Sequence, residues 1–343
     1  MFNDGSDRHA FRNVRASAAL AVLAALTIAL TFVLAMPAER ARAEYPERAV
    51  TIIACFPAGG GTDLAARLIH VELGNALGRP VIVENRGGAG GSVGTGVVAR
   101  STADGYTLLA CSSAFVVNPS LYASVPYDPF KDFIPIIVLG ASPNVFVVPE
   151  QSKIQTMKEL IAQAKADPGK MNWTSPGVGT TPQLAGELLK LRAGLQMVHI
   201  PYAGAAPANT AVLAGLVDFY VANYGSLTGL LSAGKVRPIA VSAKTRWPDL
   251  PDVPTLDELG IKDAESDTFQ ALFAPAGTPQ PIIDRLAKET ARILAEPEMQ
   301  AKFAKLGLPV VAETSEAFRA RIAREVPMYR DVIDKAGLRI KSE

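Results

Sequence analysis

Short apolar runs alternate with amphipathic stretches along most of the chain. Residues 51–55 form an apolar strand that runs into Gly59, Gly60 and Gly61; Ala65, Leu68, Ile69 and Leu73 then share one face of a helix over 63–77. A strand over 81–84, a loop with six glycines between Gly87 and Gly96, a short helix ending near Arg100 and a strand over 106–111 follow. This rhythm predicts an α/β fold with largely parallel sheets, the first three strands lying in the order 2-1-3.

Two strands over 133–139 and 144–148 are expected to be separated by a break at Gly140, Ala141, Ser142 and Pro143, which marks a first crossover between lobes. A second alternating series begins with the capping box Thr156/Glu159. It continues through strands at 171–174, 198–201, 218–222 and 238–241, with Pro182 in the first turn of a helix. The proline-rich connector 247–254 precedes an apolar strand at 269–274, the second crossover. Beyond Pro279 the pattern reads as almost all helix to the end, with Ile282, Ile283, Leu286, Ile293 and Leu294 as an apolar stripe expected to pack on the first lobe. The resulting division is 1–43 as a leader, 44–143 plus 268–343 as domain I, and 144–267 as domain II. Ligands of open α/β sheets bind beyond the carboxyl ends of the strands, so two facing lobes predict a cleft between them.

The leader changes the compartment. Arg8, Arg12 and Arg15 precede an unbroken apolar run over 16–35, and Ala41-Arg42-Ala43 supplies an A-x-A processing pattern, so a signal peptide cleaved near Ala43 and a periplasmic mature chain are expected. The apolar run is long enough to act as an uncleaved anchor instead, but the processing site argues for removal. No cysteine follows at a lipid-attachment position. Lys and Arg number 34 against 33 Asp and Glu over the whole 343 residues. A chain this close to neutrality gives no footing for nucleic acid or an anionic membrane, and a monomer is expected.

Cys55 and Cys111 each end an apolar strand, in TIIAC and TLLAC. On neighbouring strands they could form a disulfide, but side chains of adjacent strands often miss bridge geometry, and two buried thiols are the favoured reading.

Candidate chemistry is polar and uncharged. Phe56, Ala58, Gly59, Gly60, Gly61 and Thr62 form a strand-to-helix loop whose bare N–H groups suit an anion, unless they simply make a tight turn. Asp63 would repel an anion there and reads as a capping or donor-orienting group. Ser112 and Ser113 follow the third strand; Ser175, Gly177, Gly179, Thr180 and Thr181 occupy a second such loop, and Asn223 follows the strand ending at Ala222. Phe56 and Phe269 are either cleft walls or core residues. His70 and His199 stand apart from metal-ligand spacing, and no cofactor is expected. A secreted serine hydrolase using Ser112 or Ser113 is the alternative, weakened by the absence of a G-x-S-x-G elbow and of a visible base. A surface interaction protein is a third reading.

Several motifs in order resemble the tripartite tricarboxylate transporter receptor family, the periplasmic Bug or TctC-like solute-binding proteins. They are FPAGGGTDLAAR at 56–67, VENRGGAGGSVGTG at 83–96, NPSLY at 118–122, PYDPFKDFIPI at 126–136, GVGTTPQLAGELL at 177–189, PDVPTLDELG at 251–260 and APAGTP at 274–279. The resemblance implies a two-lobed, Venus-flytrap binding protein of type II character. It would hold a small carboxylate between its lobes without catalysis, and serve tripartite membrane subunits or a sensor ectodomain. Its ligand loops map onto 56–63 with Ser112 and Ser113, and onto 175–181. Gln183 stands where many members have histidine and Ala222 where they have aspartate, so a dicarboxylate specificity does not transfer.

Overall fold

The computed structural model describes residues 45–340; the leader and its cleavage site lie outside them. The first lobe starts with β1 (Val50–Ala54), α1 (Gly61–Leu77), β2 (Val81–Asn85), α2 (Ser92–Ala99), β3 (Thr107–Ser112) and α3 (Ala114–Leu121). β1 pairs in parallel with both β2 and β3, giving the expected 2-1-3 order.

β4 (Phe133–Pro149) is a single 17-residue strand where the sequence predicts two. Its partners change along its length. Residues up to Pro143 pair with β9 (Asp267–Pro275) and β10 (Val310–Thr314), and residues from Asn144 onward with β7 (Phe219–Asn223) and β8 (Val236–Val241). Gly140 is no break: a Cβ there would lie 2.5 Å from the Leu308 carbonyl oxygen, so the missing side chain admits the chain entering β10. Pro143, which lacks an N–H, sits where the strand exchanges one set of neighbours for the other.

The second lobe adds α4 (Met157–Ala166), β5 (Asn172–Ser175), α5 (Thr181–Ala193), β6 (Val198–Pro201), α6 (Ala205–Leu213) and α7 (Tyr224–Ser232). The Thr156 hydroxyl accepts the Glu159 N–H at 3.2 Å, so the helix cap forms as the sequence predicts. β5 pairs in parallel with β6 and β7, whereas every pairing of β4 and β9 is antiparallel. The sheet is therefore mixed, with parallel outer strands and an antiparallel centre. Strands β4 and β9, running side by side, connect the two lobes.

The C-terminal part holds α8 (Gln280–Leu294), α9 (Pro297–Lys305) and α10 (Ser315–Ala336). Within this almost all-helical stretch the structure adds β10, whose Val310 and Val311 favour an extended chain once β4 offers an edge. Ile283, Leu286, Ile293 and Leu294 are buried in one cluster with Ile69 and Leu73, which places α8 on the first lobe. α10 buries Phe318, Ile322, Val326 and Tyr329 in a core shared with Phe115 and Phe273 on one side and Leu188 of α5 on the other.

Cys55 and Cys111 are joined in a disulfide, with Cα atoms 5.5 Å apart, which corrects the expectation of two buried thiols. Cys55 lies one residue beyond the end of β1, where the chain bends, so its side chain is free of the strand's alternation and can turn toward Cys111.

Candidate ligand cleft

A cavity of 260 Å³ opens between the lobes at the carboxyl ends of β3, β5 and β7. The first lobe contributes Phe56, Gly90, Ser112, Ser113 and the face of α3 bearing Ala114, Val117, Asn118 and Leu121, with Tyr122 just beyond. Val178, Gly179, Thr180, Thr181, Pro182 and Asn223 come from the second lobe, and Thr268 from β9. None of these side chains carries a charge.

Three of the lining residues are helix N-caps: Ser113 for α3, Thr180 for α5 and Asn223 for α7. Each helix end leaves N–H groups without an intrahelical acceptor and carries roughly half a positive charge. One comes from the first lobe and two from the second. The cavity wall thus carries three helix N-termini and no lysine or arginine.

Thr268 fixes this polar end. Its hydroxyl is hydrogen-bonded to Thr181 Oγ1 and accepts from Asn223 Nδ2 at 2.5 Å, while Ser113 Oγ accepts the Phe269 N–H at 2.8 Å and donates to the Asp267 carbonyl at 3.2 Å. Behind it, fully buried Asn144 on β4 accepts a second Asn223 N–H at 3.0 Å and donates to Ser266 and to the Thr181 carbonyl. The donors are held in place by one another, which is what an electrostatic binding site requires. Ser112 Oγ accepts the Ala114 N–H at 3.3 Å, and its own proton goes to no acceptor among the described residues.

The second-lobe loop is shaped from behind. Ser175 is fully buried and its Oγ meets His199 Nε2 at 2.8 Å. The Gln183 amide donates to His199 Nδ1 at 3.2 Å and its Oε1 accepts the Gly179 N–H at 2.6 Å. Burial foremost, and then the Lys190 charge, lowers the His199 pKa to about 4. The neutral ring accepts at Nδ1 and donates at Nε2, and Ser175 Oγ passes a hydrogen bond on to the Gly177 carbonyl at 3.3 Å. Gly177 carbonyl also accepts the Thr180 hydroxyl at 2.7 Å.

Of the residues singled out from the sequence, Phe56, Ser112, Ser113, Gly179, Thr180, Thr181 and Asn223 come together in the cavity wall. Ala58, Gly59, Gly60, Gly61, Thr62, Asp63, Ser175 and Gly177 do not line it, and neither does Phe269. Phe269 is fully buried, edge-on to Phe318 at 5.3 Å and beneath the Arg321 guanidinium at 4.6 Å. Its neighbour Thr268, on the opposite face of β9, faces the cavity in its place.

The triple-glycine loop already holds an anion of its own. The buried Asp63 carboxylate accepts from the Gly59 N–H, Asn85 Nδ2 and Arg67 Nε, each at 2.8 Å. Burial pushes this carboxyl upward, but the hydrogen bonds outweigh it and hold the pKa below the usual carboxylate range. Thr62 Oγ1 donates to Gln270 Oε1 at 2.7 Å, tying the start of α1 to β9.

The sequence did not single out Val117, Asn118, Leu121, Tyr122, Gly90, Ala114, Pro182 or Thr268 for this wall. The first four belong to α3 and its end, where 114, 117, 118 and 121 recur at helical spacing directly after Ser113.

A cleft between two α/β lobes, crossed by two strands and lined from both sides by uncharged donors, defines a two-lobed solute-binding receptor. The profile of the "Tripartite tricarboxylate transporter family receptor", TctC, matches residues 65–338. The protein BugT of Bordetella pertussis is 36% identical over 299 residues, covering 87% of this chain and 92% of its own. Among solved structures, Rpa4515 of R. palustris with adipate is 31% identical with a TM-score of 0.70, covering 85% of this chain and 98% of its own. MatC of Rhodopseudomonas palustris with bound malate is 29% identical with a TM-score of 0.68, covering 84% and 100%. The chain belongs to the TctC/Bug family of periplasmic solute-binding proteins.

Proposed function

We propose that this chain is an exported receptor that closes its lobes on a small organic carboxylate. The observation that carries the reading is the convergence of three helix N-caps from both lobes on one uncharged cavity. A carboxylate there would accept several hydrogen bonds that strengthen as water is excluded. The Ser112 hydroxyl, the one proton left over by the Thr181–Thr268 pair and the backbone N–H groups at the helix starts would hold the charged end, with Ser113, Thr180 and Asn223 fixing its shape and Phe56 and Gly179 as walls. Residues 56–63 would act as a brace rather than as donors, since Asp63 already takes the Gly59 N–H.

Closure follows from the division of the donors. The closed state gains contacts from both sides that the open state lacks, so ligand shifts the population toward it. The exchange of partners along β4 at Pro143/Asn144, and the start of β9 at Asp267, support lobes over 44–143 plus 268–343 and over 144–267. Among the described residues no helix is long and apolar enough to cross a membrane, and the leader pattern supports export with cleavage near Ala43. The bound solute would pass to tripartite transporter membrane subunits or to a sensor.

Catalysis has no support in this geometry. Among the described residues the Ser–His hydrogen bond is Ser175–His199, not one to Ser112 or Ser113; its serine is buried and its Nδ1 faces an amide donor rather than an orienting carboxylate. A ring with a pKa of about 4 is also a poor base near neutrality.

Thermal unfolding of the ligand-stripped protein against organic acids, each paired with its neutral amide, tests the proposal. A ligand at a hundred times its Kd adds about 2.7 kcal/mol. A shift with an acid and none with its amide supports the carboxylate site; equal shifts with both would refute it.

A further inference from the structure

We infer that the preferred ligand is a monocarboxylate with a short apolar tail rather than a dicarboxylate, an inference that rests on the carboxylate reading above. The cavity is polarised along α3. This eight-residue helix, about 12 Å long at 1.5 Å per residue, lines the cavity with Ala114, Val117 and Leu121. Its N-terminus lies at the polar end, where Ser113 is hydrogen-bonded to the backbone on both sides of Thr268.

One and two turns further on, the same face presents Val117 and Leu121, with Phe56 and Val178 also in the wall. This is the C-terminal end of α3, where the helix dipole is negative; the start of α2 beyond Gly90 offsets part of that dipole but brings no cation. The polar groups there do not compensate. Asn118 Nδ2 is committed to the Gly90 carbonyl at 2.8 Å and Ser92 Oγ at 3.2 Å. The Tyr122 hydroxyl makes no hydrogen bond among the described residues and could serve one neutral polar atom.

A second carboxylate, such as that of adipate, would therefore lose water without gaining a cation or a set of donors, a net cost in a dry site. At 260 Å³ the cavity lies below the usual range for drug-sized ligands, which limits the tail to a few carbons or a single ring.

Isothermal titration of the full, ligand-stripped protein with hexanoate, adipate and hexanamide, and with benzoate, terephthalate and benzamide, tests the inference. At least one monoacid should bind tenfold or more tighter than both its diacid and its amide. A diacid that binds as tightly as its monoacid overturns the inference and leaves the carboxylate reading intact. Amides that bind as tightly as the acids, or no binding by any of the six, overturn both. Val178, half exposed at the wall, accepts a cation without a core rearrangement. Val178→Lys should shift the adipate-to-hexanoate preference at least tenfold toward adipate, and an unchanged ratio would overturn the inference that the missing cation at this end is what disfavours a dicarboxylate.

Discussion

Gly179 of the second lobe lies against Leu121 of the first across the cavity, and Gly179→Ala probes that contact directly. Two separate costs apply. Gly179 has φ of +76°, a left-handed conformation that costs an L-residue about 1–2 kcal/mol. A Cβ at this position would also stand 2.3 Å from Leu121 Cδ2, against an ordinary carbon–carbon separation of roughly 3.5–4.0 Å. Leu121 belongs to the first lobe and Gly179 to the second, so the overlap is relieved by opening the cleft. The backbone cost falls on stability and the overlap falls on binding. The expected outcome is a loss of about 1–2 kcal/mol in unfolding free energy, read by denaturant titration, and a loss of ligand affinity of tenfold or more, about 1.4 kcal/mol, read by calorimetry. The cycle with Leu121→Ala separates the two: the double variant should regain the binding loss attributable to the overlap while keeping the backbone cost. Additive effects of the two substitutions on affinity would refute the claim that they meet as the lobes close.

His199 should make stability depend on pH. Its folded pKa of about 4 lies below the ordinary value of 6.5, so the unfolded chain takes up a proton first and stability falls as pH drops from about 6.5 toward 4. The loss should be about 1–2 kcal/mol after allowance for solvent screening, and His199→Gln should flatten that part of the profile. Asp63→Asn should destabilise by about 2–3 kcal/mol in denaturant titration, because all three partners of the carboxylate are donors and an amide presents one of them with an N–H. The depressed Asp63 pKa places its stabilising contribution above the ordinary value of 3.8, and acid titration below that range should remove it in the native protein but not in the variant. Reduction of Cys55–Cys111, which closes a loop of 56 residues, should lower stability by about 4 kcal/mol on the chain-entropy account; intact mass after alkylation with and without reductant verifies the bridge.

Periodicity made the order of strands and helices, the 2-1-3 start of the sheet and the placement of α8 readable. What it could not supply were features decided by neighbours distant in sequence. Gly140 and Pro143 look like chain breakers, yet β4 runs through both because Leu308 approaches the first and the strand changes partners at the second. Val310–Thr314 becomes a strand only because an edge of β4 is there to receive it. At the cleft, the second-lobe loop and Ser112/Ser113 were legible as polar residues after strands. The choice between Thr268 and Phe269 was not: alternation sends one to the cavity and the other to the core, and a register error of one residue exchanges them. The Gly59–Gly61 loop advertises an anion site, and its Gly59 N–H is taken by Asp63, four residues on in the same segment.

The central claim is that uncharged donors at helix N-termini hold an anion in this cavity, and Ser112→Asp tests it most directly. The substitution places a negative charge in the cavity wall beside the start of α3. There it can still accept the Ala114 N–H and should leave the fold as stable as before or slightly more so. Two like charges about 4 Å apart at an effective dielectric near 20 repel by about 4 kcal/mol. Calorimetry should find carboxylate affinity reduced at least a hundredfold in Ser112→Asp and within tenfold of native in the neutral control Ser112→Asn. Equal affinity in the two variants would contradict the account.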